Sequence, residues 1–312
     1  MRIGLIGFGF IGAELYRRIA AEGGPGEIVF VHGRSRERLA GLPRELILDD
    51  LSEAAESAPD LIVEMAGPEI SHRHGEIFLG FAHYMPLSLT ALADDRLRER
   101  LTAAAARSGR SLLVAHGALV GLDSLVEWRA MWDEVAISFR KPPASLGLTG
   151  SPTTHESLLF DGSVRDIAAR YPHNVNAMVA CALATVGLDC CRARLIADPA
   201  IDHLELAVEA RGRDGSSLSI CRRQPARGVS GGSPRDELPC GYLSFLMLFL
   251  GRRVACLGLG VHRIQARQRR AVVHFVDDPG FHPLLFGAFG QHMLEQRLWD
   301  QHRAILIGHH DI

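Results

Sequence analysis

The chain has 312 residues, of which 47% are apolar and 22% charged, and its formal net charge is −2. That make-up suits a globular protein of about two domains and argues against disorder. Lys and Arg are not concentrated anywhere in the first two hundred residues, so the electrostatic signature of a nucleic-acid or membrane-surface binder is missing and a small-molecule partner is expected. Six cysteines, at 181, 190, 191, 221, 240 and 256, form no CxxC pair, and the N-terminus has no secretory character. A reducing cytoplasm is therefore expected, with neither a zinc site nor a disulfide scaffold.

Residues 2–6 predict a short apolar strand that runs straight into Gly7-x-Gly9-x-x-Gly12. Gly7 permits a tight turn, Gly9 lets a pyrophosphate approach the backbone, and Gly12 lets the next helix pack close to the sheet. Ala13, Leu15 and Ile19 follow at helical spacing. The N-terminus of that helix offers unpaired N–H groups and partial positive charge to phosphates. Further strands are predicted at 27–31, 45–48, 61–65, 84–87 and 111–115, with helical patterns between them, which is the rhythm of a parallel sheet with right-handed crossovers. The fold class is therefore α/β, an N-terminal doubly wound sheet of the Rossmann type. An acidic residue ending the second strand would select NAD; here the segment is Val31-His32-Gly33-Arg34-Ser35-Arg36. With no carboxylate present, the reading favours NADP or dual use, Arg34 meeting a 2′-phosphate with its planar fork. Alternatively, Arg34 and Arg36 only open a solvated helix. His72 and His74, on a helix beginning near Ser71, are two residues apart and do not share a face, so no metal pair is expected.

From about Gly117 the rhythm changes. A helical segment near 122–131, a strand near 134–139, the loop Arg140-Lys141-Pro142-Pro143, helices at 163–170 and 175–186, and strands near 192–197, 204–210 and 216–219 predict a second, α+β catalytic domain. The ligand crevice should lie between the two, at the carboxyl ends of the strands.

Several short motifs now occur in a telling order: Asp60-Leu-Ile-Val-Glu64-Met-Ala-Gly67, His74-Gly75, Ser88-Leu-Thr-Ala-Leu-Ala-Asp94, Gly117-Ala118-Leu-Val-Gly121-Leu122-Asp123, Arg140-Lys-Pro-Pro143, Phe160-Asp-Gly162-Ser163, Asn174-Val-Asn176 and Asp198-Pro199. Over roughly residues 1 to 220 the chain resembles the L-aspartate dehydrogenase family. The resemblance implies oxidation of L-aspartate with NAD or NADP to iminoaspartate, which hydrolyses to oxaloacetate and ammonia or feeds NAD biosynthesis. It also implies cofactor contacts at the glycine loop (Gly7, Gly9, Phe10, Ile11 and Gly12), at Ala118 and at Asn176. A homo-oligomer is expected.

Such chemistry needs a proton acceptor for the substrate ammonium and cationic partners for its carboxylates; a His of near-neutral pKa suits the first task. The family places its catalytic His on a strand shortly after Asp-Pro. Counting from Asp198-Pro199, that position falls on Leu206, and the nearest imidazole is His203. A shift of three residues along a continuous strand reverses the face. His203 can therefore serve only from the loop before the strand or through a shortened connection; otherwise it is a strand-edge His beside Asp202. His173 is the other candidate. Lys141, the only lysine, sits in the proline-stiffened loop and is a candidate for substrate carboxylate binding or cofactor orientation, or belongs to a plain turn. Asn174 and Asn176 bracket Val175, so one can cap the following helix while the other meets a ligand.

Past about Gly231 the resemblance ends, leaving an apolar run at 242–250 that is too short to span a bilayer, an Arg-rich piece at 262–270 and His309-His310. The expected organisation is a dinucleotide-binding domain at 1–117, a catalytic domain at 118–231 and a divergent segment at 232–312. The alternatives are a non-catalytic dinucleotide-binding or sensor protein, and a dehydrogenase or reductase of homoserine or dihydrodipicolinate type.

Overall fold

The computed structural model describes residues 1–21, 26–115, 119–148, 155–225, 261–267 and 270–274. In chain order its elements are β1 (Arg2–Ile6), α1 (Phe10–Ala21), β2 (Glu27–His32), α2 (Arg36–Leu39), β3 (Leu61–Glu64), α3 (Pro68–Phe81), β4 (His83–Pro86), α4 (Asp95–Ser108), β5 (Leu112–Ala115), α5 (Leu122–Glu127), β6 (Trp132–Lys141), β7 (Ser157–Ser163), α6 (Val164–Arg170), α7 (Asn176–Ala184), β8 (Arg192–Ala197), β9 (His203–Gly212), β10 (Ser217–Pro225), β11 (Val261–Arg267) and β12 (Arg270–His274).

The first sheet has the order β12-β11-β5-β4-β3-β1-β2. Its five strands from β5 to β2 are parallel, and β11 joins β5 antiparallel, Val261 opposite Ala115. β3 and β5 are buried at every position, as strands covered by helices on both faces must be. The order reverses between β1 and β3, which opens a crevice at their carboxyl ends. The second sheet, β10-β9-β6-β8-β7, is mixed: β6 and β8 run parallel and the other pairs antiparallel. The fold is thus the expected α/β arrangement of a doubly wound sheet and a second sheet-bearing half.

One core cluster runs without a break from Ile62, Phe78 and Tyr84 of the first half to Ile137, Leu195 and Val208 of the second. Helix α7 lies in that cluster with Ala177, Met178, Val179, Ala180, Cys181, Ala182 and Ala184 all buried. Because it is apolar on every side it serves as the shared centre of the two halves, and an amphipathic helix could not. A second cluster, including Ile3, Leu5, Leu15 and Val63, fills the opposite face of the first sheet.

Polar contacts fix the same junction. The Glu64 carboxylate is fully buried at the end of β3 and accepts from the N–H groups of Ala66 (2.6 Å), Gly67 (2.7 Å) and Ser88 (3.3 Å) and from the Ser88 hydroxyl (3.0 Å). It thereby holds the turns leaving β3 and β4 together. From the β4 turn, Thr90 N–H donates to Asn176 Oδ1 (3.2 Å) and its hydroxyl to the Pro172 carbonyl (2.5 Å), while Arg165 of α6 donates to the Ala93 carbonyl (2.7 Å).

Four local expectations change. Residues 45–48 make no strand: Arg44–Leu46 is a 3-10 turn, and Ile47 contributes only an isolated bridge to Val31. Pro43 before this run and Asp49-Asp50 after it leave too few residues for a ladder. β7 was not expected, because Asp161 and Gly162 disguise an edge strand. Arg140 and Lys141 belong to β6 and not to a loop. The α7 N-terminus has no side-chain cap, since Asn176 spends its carbonyl on Thr90. The apolar run at 242–250 and His309-His310 lie outside the described residues.

Replacing Glu64 with Ala leaves buried N–H groups without an acceptor, so a loss of about 3 kcal/mol is expected. Chemical denaturation of Glu64→Ala beside the parent measures it, and equal midpoints would show that the carboxylate does not hold the two turns.

Candidate cofactor cleft and active site

Gly7 leaves β1 at φ 99°, and its N–H donates to the His32 carbonyl (2.8 Å). A Cβ on Gly7 would lie 2.6 Å from the Met65 carbonyl carbon, and one on Gly12 only 2.1 Å from the Gly7 carbonyl oxygen. Both contacts are to backbone and cannot yield. Gly9 differs, because a Cβ there would meet only Arg38 Nη1 at 3.9 Å. No packing demand explains this glycine; it faces open space where α1 begins. Phe10 and Ile11 form the opening turn of α1, with Phe10 half-exposed.

That space is a cleft of about 600 Å3 at the crevice between β1 and β3, lined by Gly7, Gly9, His32, Arg34, Ser35, Arg38, Met65, Ala66, Glu69, Arg73 and His173 among others. Its dimensions and its glycine wall fit a dinucleotide: the pyrophosphate against Gly9 and the N-terminus of α1, the adenosine end toward β2. Ser35 caps the short α2. Arg36, the second arginine of this segment, turns away to Asp49 (2.7 Å). Arg34 stays in the cleft and is joined there by Arg38, and no carboxylate pairs with either among the described residues. The sequence reading missed Arg38; its spacing of four from Arg34 was the available signal. His173 enters from the second half of the chain, its Cε1 3.8 Å from where a Cβ on Gly67 would stand.

Lys141 ends β6 and is buried, with 7% exposure. Its Nζ lies 5.0 Å from the Phe139 ring centroid, and no carboxylate approaches it among the described residues. Desolvation alone pulls its pKa down to about 8. The adjacent Arg140 points to the other face and is fully paired, with Glu156 (2.7 Å) and Asp198 (3.1 Å). Asp198 also accepts from Ala200 N–H (2.9 Å) and donates its own N–H to the Lys141 carbonyl (2.9 Å), so the Asp-Pro motif is a tight exit from β8.

His203 is the first residue of β9 and not a loop residue; its Nδ1 lies 3.2 Å from Asp202 Oδ1. It stands at the same end of the sheet as Lys141 and Asp198, but on the face away from Lys141. It does not occupy the Leu206 position. Leu206 pairs with Phe139 on the buried face, and strand alternation puts His203 on the opposite one, with Glu205 and Arg140. The structure therefore gathers Gly7, Gly9 and Arg34 in one cleft, and sets Lys141 and His203 at one end of the second sheet. Asn176 tethers the β4 turn, with its amide N–H groups still available. Ala118 lies outside the described residues. Among those residues no group of three or more His, Cys, Asp or Glu could hold a metal, and no helix is long and apolar enough to cross a membrane.

Comparison with known proteins matches both halves. Residues 7–115 fit the family described as the homoserine dehydrogenase NAD-binding domain, and residues 126–229 fit the aspartate dehydrogenase C-terminal family. An aspartate dehydrogenase domain-containing protein of Xenopus tropicalis is 37% identical over 248 residues, covering 72% of this chain and 87% of the relative. L-aspartate dehydrogenase 1 of Bordetella pertussis is 32% identical over 255 residues, covering 78% and 98%. The crystal structure of aspartate dehydrogenase from Thermotoga maritima superposes with a TM-score of 0.60 at 26% identity, over 71% of this chain and 88% of that one. With the substrate-side half matched to aspartate dehydrogenases and the nucleotide half built around an open glycine cradle, the chain belongs to the aspartate dehydrogenase family and is an NAD(P)-dependent dehydrogenase.

Proposed function

We propose that the protein oxidises L-aspartate at Cα to iminoaspartate, which hydrolyses to oxaloacetate and ammonia, as a cytoplasmic homo-oligomer that can supply NAD biosynthesis. The observation that carries the reading is Lys141, a buried ammonium with no carboxylate partner among the described residues, on a chain whose relatives bear the name L-aspartate dehydrogenase. In this reading the nucleotide half reaches to about residue 117 and the catalytic half to about 231. The bound nicotinamide supplies the hydride acceptor. Gly7, Gly9, Gly12 and the N–H groups at Phe10 and Ile11 hold its pyrophosphate, Arg34 and Arg38 receive a 2′-phosphate, and Ala118 and the Asn176 amide meet its other end. Lys141 anchors a substrate carboxylate. His203 is the first candidate to accept the proton released from the substrate ammonium; because alternation sets it on the face away from Lys141, it does so only from beyond the end of β9, beside Asp202. His173 is the second candidate for that role because it lines the cofactor cleft. The primary test is L-aspartate-dependent reduction of NADP and NAD at alkaline pH; a parent that binds NADPH but reduces neither would favour a sensor.

Gly9→Val is expected to fold normally, since only Arg38 Nη1 stands near the new Cβ, and to lose NADPH and NADH alike. Arg34→Ala should weaken NADPH at least tenfold and leave NADH unchanged. Fluorescence titration of the bound dihydronicotinamide reads both, and equal losses for the two cofactors in Arg34→Ala would remove Arg34 from the 2′-phosphate site.

Lys141→Met should raise the KM for L-aspartate on the order of a hundredfold with NADPH affinity intact. The same variant tests the buried charge. Because the folded pKa of about 8 lies below the ordinary 10.5, the unfolded chain binds more protons between those values, and parent stability rises with pH across that window. Lys141→Met should thus exceed the parent by roughly 3 kcal/mol near neutrality, a gap that closes as pH approaches the upper value. A gap independent of pH would mean that the ammonium is not desolvated.

His203→Ala is expected to lower kcat by about a hundredfold to ten-thousandfold and to leave NADPH affinity unchanged. If His173→Ala produces those changes and His203→Ala does not, the proton acceptor is His173.

A further inference from the structure

The buried face of the second sheet is apolar along its strands except at one end, where two of them break the pattern. On β6, Val135, Ile137 and Phe139 lead to Lys141; on β10, Leu218 and Ile220 lead to Arg222. Arg222 pairs with Leu206, and Leu206 with Phe139. Residues directly opposite in antiparallel strands project to the same side, so Arg222 shares a face with Phe139 and with Lys141, two residues on.

The Nε–H of Arg222 is buried and meets no acceptor among the described residues. Burial also depresses its pKa. The outward neighbours behave otherwise: Arg223 pairs with Glu205 at 2.7 Å, as Arg140 pairs with Glu156 and Asp198. On these strands the outward cations are neutralised, and the two inward ones have no counter-ion among the described residues. A buried donor left without an acceptor is rare in a folded protein and marks a place where a ligand brings the acceptor. The first sheet's end comes close to this spot. A Cβ on Gly121, which opens α5 just after β5, would lie 2.9 Å from Ile220 Cδ1, two residues before Arg222. In such a sheet the ligand lies outside the carboxyl ends of the strands, the end at which Gly121 follows β5.

We propose that Arg222 receives the side-chain carboxylate of a dicarboxylic substrate while Lys141 receives the other, so that Arg222 selects dicarboxylates over monocarboxylates. The proposal rests on the reading of Lys141 as a carboxylate ligand. A guanidinium presents two parallel N–H donors to a carboxylate, and its planar fork fixes the direction of the bound group, which an ammonium does not. Two cations without counter-ions match two carboxylates in charge, and a monocarboxylate would leave Arg222 as it stands.

The test uses the NADPH-loaded full-length protein with succinate as probe, followed by calorimetry, for the parent, Arg222→Met and Arg222→Lys. The parent should bind succinate; Arg222→Met should lose at least thirtyfold in affinity and Arg222→Lys less. NADPH affinity should not move, and the melting temperature of Arg222→Met should equal or exceed the parent's, since an unpaired buried cation has been removed. In turnover, the preference for L-aspartate over L-asparagine should collapse in Arg222→Met through KM and not through kcat. Succinate binding that is absent in the parent, or equal in parent and variants, overturns the proposal. A parent that binds succinate through Arg222 yet does not oxidise L-aspartate leaves Arg222 as a dicarboxylate ligand and discards L-aspartate as the substrate.

Discussion

The cleft and the junction of the two halves both depend on one buried carboxylate. Glu64 sits at the end of a strand with no water around it, and burial raises its pKa even though three N–H groups and a hydroxyl bind it. Those donors come from two separate turns, after β3 and after β4. The first turn carries Met65 and Ala66 into the wall of the cofactor cleft; the second carries Thr90 to Asn176 and Pro172. A single side chain therefore sets the spacing between the cofactor wall and the helical centre against which the second sheet packs. Gly67, at φ 152°, is the conformational cost of bringing its N–H round to that carboxylate.

Strand alternation decides which charges are silent and which are available. Arg140 and Lys141 are neighbours in sequence, yet one ends in an ion-pair network and the other in an apolar wall. The same division separates Arg223 from Arg222. Exposed pairs of this kind contribute little to stability, so the outward arginines chiefly keep the sheet's outer face neutral. The inward cations oppose folding, since the Lys141 ammonium and the Arg222 Nε are desolvated with no acceptor among the described residues. Burial depresses the pKa of both groups.

Much of this was legible in the chain. The glycine loop, the absence of a carboxylate after β2, the parallel strands of the first half and the order of the motifs are all local signals, set by backbone sterics and by strings of apolar residues that need no partner to be read. What escaped depends on distant pairing. β7 looks polar because its outward residues, Asp161 above all, are satisfied by Arg192 and Arg194 on β8, more than thirty positions away. Asn176 reads as a helix cap until Thr90, eighty-six positions earlier, claims its carbonyl. Arg222 is indistinguishable from Arg223 until the register with β9 assigns the two to opposite faces. His203 is limited in the same way: counting from Asp198 locates the strand, but only the register with β6 shows that the strand begins at His203 and keeps it on the face opposite Leu206.

The position of α7 has a consequence for how the chain is made. The apolar face of the turn after β4 is closed by a helix that begins at Asn176, well after the last strand of the parallel sheet, β5, ends at Ala115. During synthesis the nucleotide half therefore emerges with one side uncovered, and it stays so until some seventy further residues have left the ribosome. At about 5–20 residues per second that interval lasts several seconds. Over that time the apolar surface around Leu89 and Leu92, which the finished fold buries, is open to chaperones and to other nascent chains.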